Sequence, residues 1–173
     1  HIAVTFDTLV YPVDTLNFGA PADIDNNQRV VILYTRAVNE LTTAEMQGYV
    51  GGFFHPRDVY PRTGGEGLPT CQGSNLAEMF YMLAPDPEGR SSHIKHTTQD
   101  ILEETIATIA HEFQHLIQES RRVYINNTWM QDESVWLNEG LSHIAEELIF
   151  YRATGLGPRQ NLTVPPAPAF TRF

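Results

Sequence analysis

The stretch His111-Glu112-Phe113-Gln114-His115 is the most informative part of the chain, because it places two histidines four residues apart. On a helix, residues with this spacing lie on one face about one turn apart, so both imidazoles can bind one metal ion. Glu112 follows the first histidine and can reach a water on that ion, where it would act as a general base. The plainer interpretation is an exposed helix face that carries two histidines by chance.

The residues around this stretch predict a long amphipathic helix. The stretch Thr97-Thr98-Gln99-Asp100 supplies candidate N-caps and an acid for the first turn. No Gly or Pro interrupts residues 98–120, so the two histidines lie in the second half of a helix of about six turns. Apolar residues recur every three or four positions, as on a helix packed against a core: Ile101, Leu102, Ile106, Ile109, Phe113, Leu116 and Ile117.

A catalytic zinc site needs a third protein ligand, and Glu139 is the main candidate. It lies in the stretch Trp136-Leu137-Asn138-Glu139-Gly140, where a second apolar-periodic segment begins. Twenty-three residues separate it from His115, enough for a turn and a returning helix. Gly140 costs about 1 kcal/mol relative to Ala inside a helix, and a close approach of two helices is one reason to keep it.

Other acids remain as alternatives for the third ligand. Glu119 lies roughly 12 Å further along the first helix than His111, too far to share an ion with both histidines. Asp132 and Glu133 are closer to the motif, but acids at these positions favour the start of the second helix. Glu146 lies two turns beyond Glu139, so it could serve only if that helix slid by roughly 10 Å.

The two segments H-E-F-Q-H and W-L-N-E-G together resemble the gluzincin zinc metallopeptidases. Roughly residues 18–151 resemble the hyicolysin-like secreted members, although only the two zinc segments are specific. The further segments that carry this resemblance are Phe18-Gly19 with Asp23-Ile24-Asp25, residues 48–54, and Ser74-Asn75 before Glu78-Met79-Phe80-Tyr81. The resemblance implies that His111, His115 and Glu139 bind zinc and that Glu112 is the base.

The same resemblance suggests candidates for the residues that surround the metal. In thermolysin-like members an acid four residues after the ligand glutamate orients a zinc-bound histidine, and here that position holds His143. Those members also use a Tyr and a His to donate hydrogen bonds to the developing oxyanion. Tyr124 and His143 are the candidates by position. Their plainer roles are core packing for Tyr124 and a satisfied polar contact, or a fourth zinc ligand, for His143.

Upstream of the zinc motif, the sequence predicts a small mixed sheet. β-branched and apolar runs predict strands at 2–6, 29–35, 48–54 and 76–83. The run 29–35 is almost wholly apolar, which favours a central position. In the zinc peptidases that this sequence resembles, an edge strand beside the active-site helix pairs with the extended substrate. The resemblance implies that role for the run 76–83, with a buried structural strand as the alternative.

Two loops contain possible metal ligands with weaker support. Within the turn-rich residues 14–28, Asp23, Asp25 and Asn27 alternate like the start of a calcium loop. Gln28 and Tyr34 stand where that loop requires Gly and Glu, so an Asx-rich turn is favoured over a Ca²⁺ site. The histidines of the second loop, His93 and His96, are predicted to be solvated, and the lone Cys71 is predicted to be an inert thiol.

Length and composition fit one catalytic domain of two lobes. The 173 residues are 42% apolar and 18% charged, which is ordinary for a globular protein. We assign residues 1–120 to a sheet and zinc-helix lobe, and residues 121–173 to a helical lobe with a Pro-rich tail at 165–168. The net charge of −10 argues against a nucleic-acid partner, and no apolar run is long enough to span a bilayer. The chain starts at His1 without Met, which we interpret as a trimmed chain with any targeting segment removed.

The sequence therefore predicts an α+β, zincin-like fold and a zinc-dependent peptidase. Its partner would be a peptide or protein substrate, and its location extracellular or in the cell envelope. The rival hypothesis is a non-catalytic secreted or surface module with a structural zinc, which His143 would close as a fourth ligand. Glu112 argues against that rival, because a structural site needs no base. Neither the oligomeric state nor the substrate preference can be predicted from the sequence.

Overall fold

A computed structural model describes residues 1–64, 67–68, 70–128, 130 and 133–157. The chain folds as an α+β protein with a three-stranded sheet and two long helices, which confirms the predicted class. The tail predicted at 165–168 lies outside the described residues. Among those residues, no helix is both long and apolar enough to cross a lipid bilayer.

Helix α4, Thr98–Ser120, forms as predicted and carries both His111 and His115. Its first turn is closed by a capping box, in which Thr97 Oγ1 accepts from the Asp100 amide and the Asp100 carboxylate accepts from the Thr97 amide. The apolar face of α4 is the centre of the main core, where it meets residues of the sheet, the N-terminal helices and the last helix. This core includes Phe6, Val10, Phe80, Met82, Ile109, Phe113, Leu116, Ile117, Ala145 and Ile149.

The second predicted helix also forms. A π-helical turn, Arg121–Ile125, follows α4, and α5, Val135–Thr154, then packs back along α4. Helix α5 ends at Gly155, whose φ of +69° lies in the left-handed region that favours glycine. This pairing brings the start of α5 beside the second half of α4.

The prediction of a strand at 2–6 was wrong, and the turn-rich segment predicted at 14–28 begins only after residue 18. Residues 2–18 are helical instead, in three consecutive segments: α1, Ile2–Thr5; a π-helical turn, Phe6–Val10; and α2, Tyr11–Phe18. Phe6 and Val10 are one turn apart and both buried, and the Phe6 ring packs edge-on against Phe113 of α4 at 5.0 Å. Packing on α4 therefore outweighs the local strand preference of the β-branched residues.

The sheet has the order β1-β3-β2, with β1, Val31–Thr35, β2, Gly52–Phe53, and β3, Met79–Leu83. A short helix α3, Arg36–Asn39, follows β1, and a 3₁₀ turn, Pro56–Val59, comes between β2 and β3. Strand β3 is parallel to β1 and antiparallel to β2. It is therefore the central strand, and the prediction that 76–83 is an edge strand was wrong.

The remaining two strands lie at the edges. Strand β1 was predicted to be central, yet Val31 and Leu33 are 41% and 40% exposed. Strand β2 is shorter than the predicted 48–54, and one of its glycines lies very close to the neighbouring strand. A Cβ added to Gly52 would lie 2.7 Å from Met82 Sδ and 2.8 Å from the Tyr81 carbonyl oxygen, so only glycine fits against β3.

The prediction that both histidines of the loop before α4 are solvated was wrong for one of them. His93 is exposed as expected, but His96 is buried, with its ring 4.6 Å from that of Tyr49. A two-way backbone bridge to Asp86 holds it there. Cys71 is free and partly buried.

Candidate metal centre

The three predicted ligands come together between α4 and α5. His111 and His115 lie one turn apart on α4, and their Nε2 atoms are 3.1 Å apart. Glu139, in the second turn of α5, places Oε2 3.4 Å from Nε2 of His111 and 3.8 Å from Nε2 of His115. The three atoms form a small triangle that both helices are needed to build.

The size of this triangle fits a tetrahedral ion. Zinc bonds of about 2.0–2.1 Å place neighbouring ligand atoms about 3.3 Å apart. The three observed distances, 3.1, 3.4 and 3.8 Å, lie around that value. The histidine side chains are largely buried, whereas that of Glu139 is 50% exposed. The centre is therefore enclosed by protein on the α4 side and accessible to solvent beside Glu139.

Glu146 holds His111 in this position. Its Oε1 lies 2.5 Å from Nδ1 of His111, and both side chains are largely buried. Because an ionised carboxylate can only accept, Nδ1 donates, and in the neutral imidazole the Nε2 lone pair is left for the triangle. His111, His143 and Glu146 also form a group of possible ligands. The 2.5 Å separation is that of a hydrogen bond, too short for two ligand atoms on one zinc ion.

Ser142 supports the second histidine. Its hydroxyl donates to Gln114 Oε1 at 2.7 Å and lies 3.1 Å from Nδ1 and 3.2 Å from Nε2 of His115. With its own hydrogen used on Gln114, the hydroxyl can only accept from the imidazole. Burial, together with the neighbouring His111, lowers the pKa of His115, which keeps this imidazole neutral and able to bind a metal.

Glu112 follows His111 in sequence, but its side chain is directed to the sheet side of α4. It is buried, and its Oε2 accepts a 2.8 Å hydrogen bond from the amide of Phe54, just after β2. Burial raises the pKa of Glu112 to about 7. A carboxylate that exchanges a proton near neutral pH is suited to general acid–base chemistry.

One curated protein is similar to most of this chain. Neutral metalloprotease ShpI of Staphylococcus hyicus is 29% identical over 148 residues, which cover 86% of this chain and 30% of the relative. The similarity relates this chain to a metalloprotease. The chain spans less than a third of the length of that relative. No protein-family model and no solved structure matches the chain significantly.

The two candidate oxyanion donors lie in different places. His143 is close to the centre: its ring is 5.1 Å from that of His111, its Nδ1 is 3.1 Å from Glu146 Oε1, and its side chain is 67% exposed. The Tyr124 hydroxyl instead donates to the Val59 carbonyl at 2.6 Å. Among the described contacts, none joins Tyr124 to the triangle.

The alternative third ligands are engaged elsewhere or lie outside the described residues. Glu119 accepts a 2.7 Å hydrogen bond from the Tyr60 hydroxyl. Glu133 accepts from the side chains of Gln118 and Asn138, and Ser134 rather than Glu133 is the N-cap of α5. Asp132 is not among the described residues. None of these acids joins the triangle in the part of the chain that is described.

Gly140 does not have the role that the sequence suggested. A Cβ added there would meet no atom within 4 Å, so the position faces open space and not the neighbouring helix. The close approach of α4 and α5 takes place instead at Ser142 and Ala145, which are buried.

Sequence reasoning also missed Glu146 as the partner of His111. The available signal was its spacing, because Glu146 lies seven residues after Glu139 and therefore two turns along the same face of α5. That spacing places the two carboxylates in one row beside α4. One of them meets Nε2 of His111, and the other meets Nδ1 of the same ring.

Proposed function

We propose that this chain carries the zinc site of a metallopeptidase and hydrolyses peptide bonds in peptide or protein substrates. The observation that carries the proposal is the convergence of His111 Nε2, His115 Nε2 and Glu139 Oε2 at tetrahedral spacing. With Nδ1 of His111 committed to Glu146, three electron-rich atoms face one another, and a shared cation stabilises such an arrangement. Two nitrogens and one carboxylate oxygen suit zinc. The similarity to a neutral metalloprotease supports the same reaction class.

Glu112 is the proposed general base. When bound, zinc would polarise the scissile carbonyl and acidify the attacking water. Glu112 takes the proton from that water and later passes it to the leaving amine. Burial supplies the raised pKa that this exchange needs, and the Phe54 amide holds one carboxylate oxygen in place.

An extended substrate would pair with β2 rather than with the strand that the sequence favoured. Strand β3 has partners on both sides, whereas β2 is an edge strand of the described sheet. Strand β2 leads directly to Phe54, whose amide contacts Glu112. A peptide added along this edge would therefore run beside the base.

His143 is the better placed of the two proposed oxyanion donors. It is exposed to solvent beside His111, where the carbonyl oxygen of a bound substrate would develop negative charge. Tyr124 could take that role only after releasing the Val59 carbonyl. We therefore propose that His143 donates the hydrogen bond to the developing oxyanion.

The rival hypothesis of a structural zinc requires a fourth protein ligand. Within the described residues, the group around Glu139 contains three candidate ligands, and Nδ1 of His143 is directed to Glu146. An open fourth position and a buried carboxylate next to the motif both favour catalysis. We retain the expected extracellular or cell-envelope location as part of the proposal.

The test compares the zinc-loaded chain with its Glu112→Gln variant on a fluorogenic peptide library. We expect hydrolysis by the parent chain, inhibition by a chelator, and recovery on adding zinc. Glu112→Gln should keep one zinc per chain and lose hydrolysis, because Glu112 would act on the water and is not one of the three proposed ligands. Glu147→Gln, an exposed position on α5, serves as the matched control and should be unaffected.

Two results would overturn this assignment. If Glu112→Gln loses zinc together with activity, Glu112 is a ligand or a structural residue rather than the base. If elemental analysis finds stoichiometric iron, or no metal in chain purified with zinc present, the three residues do not form a zinc site.

A further inference from the structure

A second group of acids converges away from the zinc triangle. Asp23 and Asp25 lie in the loop before β1, and Glu78 immediately precedes β3. One carboxylate oxygen from each residue lies within 4.8 Å of the other two. The two aspartates are exposed, whereas Glu78 is 2% exposed. This group joins residues more than 50 positions apart, so the aspartate loop alone does not define it.

Glu78 is the unusual member of this group, because part of its carboxylate is buried without a partner. Oε1 accepts a 2.6 Å hydrogen bond from the Ile24 amide, but Oε2 is buried with no hydrogen-bond partner. Within the described residues, no Lys or Arg nitrogen lies within ion-pair distance of Glu78, Asp23 or Asp25. A buried acceptor that lacks both a donor and a counter-charge is costly.

The electrostatics of the group oppose three unneutralised carboxylates. Burial raises the pKa of Glu78, and the charges of Asp25 and Asp23 raise it further. A bound cation would relieve both effects, since it gives the free oxygen a partner and screens the aspartates from Glu78.

Solvent can reach this group. A cavity of about 930 Å³ lies between the N-terminal helices and β1, and Asp23, Gln28 and Glu78 are among its lining residues. It provides room for an ion and for the waters that would complete its coordination.

We propose that Asp23, Asp25 and Glu78 bind a hard divalent cation, and that calcium is the ion that fits. All three ligands are carboxylates, with no imidazole or thiolate to favour zinc. Calcium accepts six to eight oxygens at about 2.3–2.6 Å, so its ligand atoms can be up to about 5 Å apart. Magnesium requires a tighter octahedron at about 2.0–2.1 Å and fits a spacing of up to 4.8 Å less well.

This site differs from the calcium loop suggested by the sequence. In the structure Asn27 is used within the loop, because its Oδ1 accepts from the Arg29 amide and its Nδ2 donates to Asp25 Oδ2. The proposed third ligand is Glu78, and its backbone oxygen also accepts from the Val31 amide at 2.8 Å. A cation here would therefore fasten the aspartate loop to the start of both parallel strands.

The test is calcium titration of the full chain after all metal has been removed with a chelating resin and one equivalent of zinc has been restored. Calorimetry should find one calcium site per chain, and calcium should raise the unfolding temperature more than an equal concentration of MgCl₂. Asp25→Asn and Glu78→Gln should each weaken calcium binding at least tenfold while zinc content and circular dichroism stay unchanged. Because Asp25 is exposed, its variant tests the site even if Glu78→Gln fails to fold.

Glu40→Gln is the matched control, since Glu40 is an exposed acid outside the group. It removes the same charge and should leave calcium affinity unchanged. No calcium binding by the parent chain would overturn the proposal. Equal calcium affinity in the parent chain and in Asp25→Asn would also overturn it. So would a loss of calcium affinity in Glu40→Gln as large as that in Asp25→Asn, because it would indicate diffuse attraction of calcium to an acidic surface.

Discussion

Replacement of Glu146 tests how the metal centre is supported. Its carboxylate lies 2.5 Å from His111 Nδ1, and its side chain is 9% exposed. A hydrogen bond to a charged partner in such surroundings contributes about 1.5–3 kcal/mol. Loss of a partner that orients a metal-bound histidine lowers metal affinity by about 10–100-fold, which corresponds to about 1.4–2.7 kcal/mol. The two ranges agree.

We therefore expect Glu146→Ala to weaken zinc binding by close to 100-fold. Glu146→Gln should weaken it by only about tenfold, because the amide oxygen can still accept from Nδ1 but carries no charge. The assay is competition for zinc with a chromophoric chelator at fixed pH. Glu147→Gln replaces the exposed neighbour on α5 and should bind zinc like the parent chain.

The size of the loss of zinc affinity distinguishes Glu146 as a hydrogen-bond partner of His111 from Glu146 as a metal ligand. Parent-like affinity in Glu146→Ala would refute the support role, since His111 would then need no partner. A loss as large as that caused by removing a zinc ligand would favour the alternative group of His111, His143 and Glu146. Only an intermediate, charge-dependent loss agrees with a hydrogen bond from His111 to Glu146.

Three further predictions concern the third ligand, the oxyanion donor and a buried acid. Glu139→Ala should lower zinc affinity by orders of magnitude and reduce thermal stability, whereas Glu133→Ala should retain zinc through dialysis against a weak chelator. His143→Ala should lower kcat about 100-fold at unchanged zinc content, while Tyr124→Phe should leave kcat nearly unchanged because that hydroxyl bonds the Val59 carbonyl. Burial raises the pKa of Asp14 from 3.8 to about 8, so the folded chain holds this proton more tightly than the unfolded chain. The contribution of Asp14 to the free energy of unfolding is therefore highest below pH 4 and falls as the pH rises toward 8. Asp14→Asn should therefore unfold at a higher temperature than the parent chain at pH 7 but not at pH 4, and a difference independent of pH would contradict the burial of an unpaired carboxyl.

The helices of the site were predictable because their signals are local. The Thr97–Asp100 capping box and the apolar spacing of α4 are both encoded within one segment, and the structure places α4 at Thr98–Ser120. The two histidines then face one side of that helix by geometry alone. Glu139 joins them because α5 returns along α4, which the length of the connection allowed.

The order of the strands was not predictable in the same way. Whether 76–83 is central or at an edge depends on which segments pair with it, and its own residues are apolar in either case. The strand prediction for residues 2–6 was wrong for a related reason. Phe6 lies in a helical segment whose packing partner, Phe113, is far along the chain. Glu146 could not be assigned because several acids on α5 have helical spacing, and only the packing of α5 on α4 selects the one that meets His111.

The triangle of His111, His115 and Glu139 has a consequence for the stability of the folded chain. Since Cys71 is the only cysteine, the chain cannot form an internal disulfide. A metal shared by α4 and α5 acts as a removable cross-link, which closes the connection between His115 and Glu139. For a disulfide closing a loop of similar length, the lost freedom of the unfolded chain corresponds to about 3 kcal/mol. An ion bound as we propose would therefore serve hydrolysis and also join α4 to α5, so removal of the metal should abolish activity and loosen the contact between the two helices.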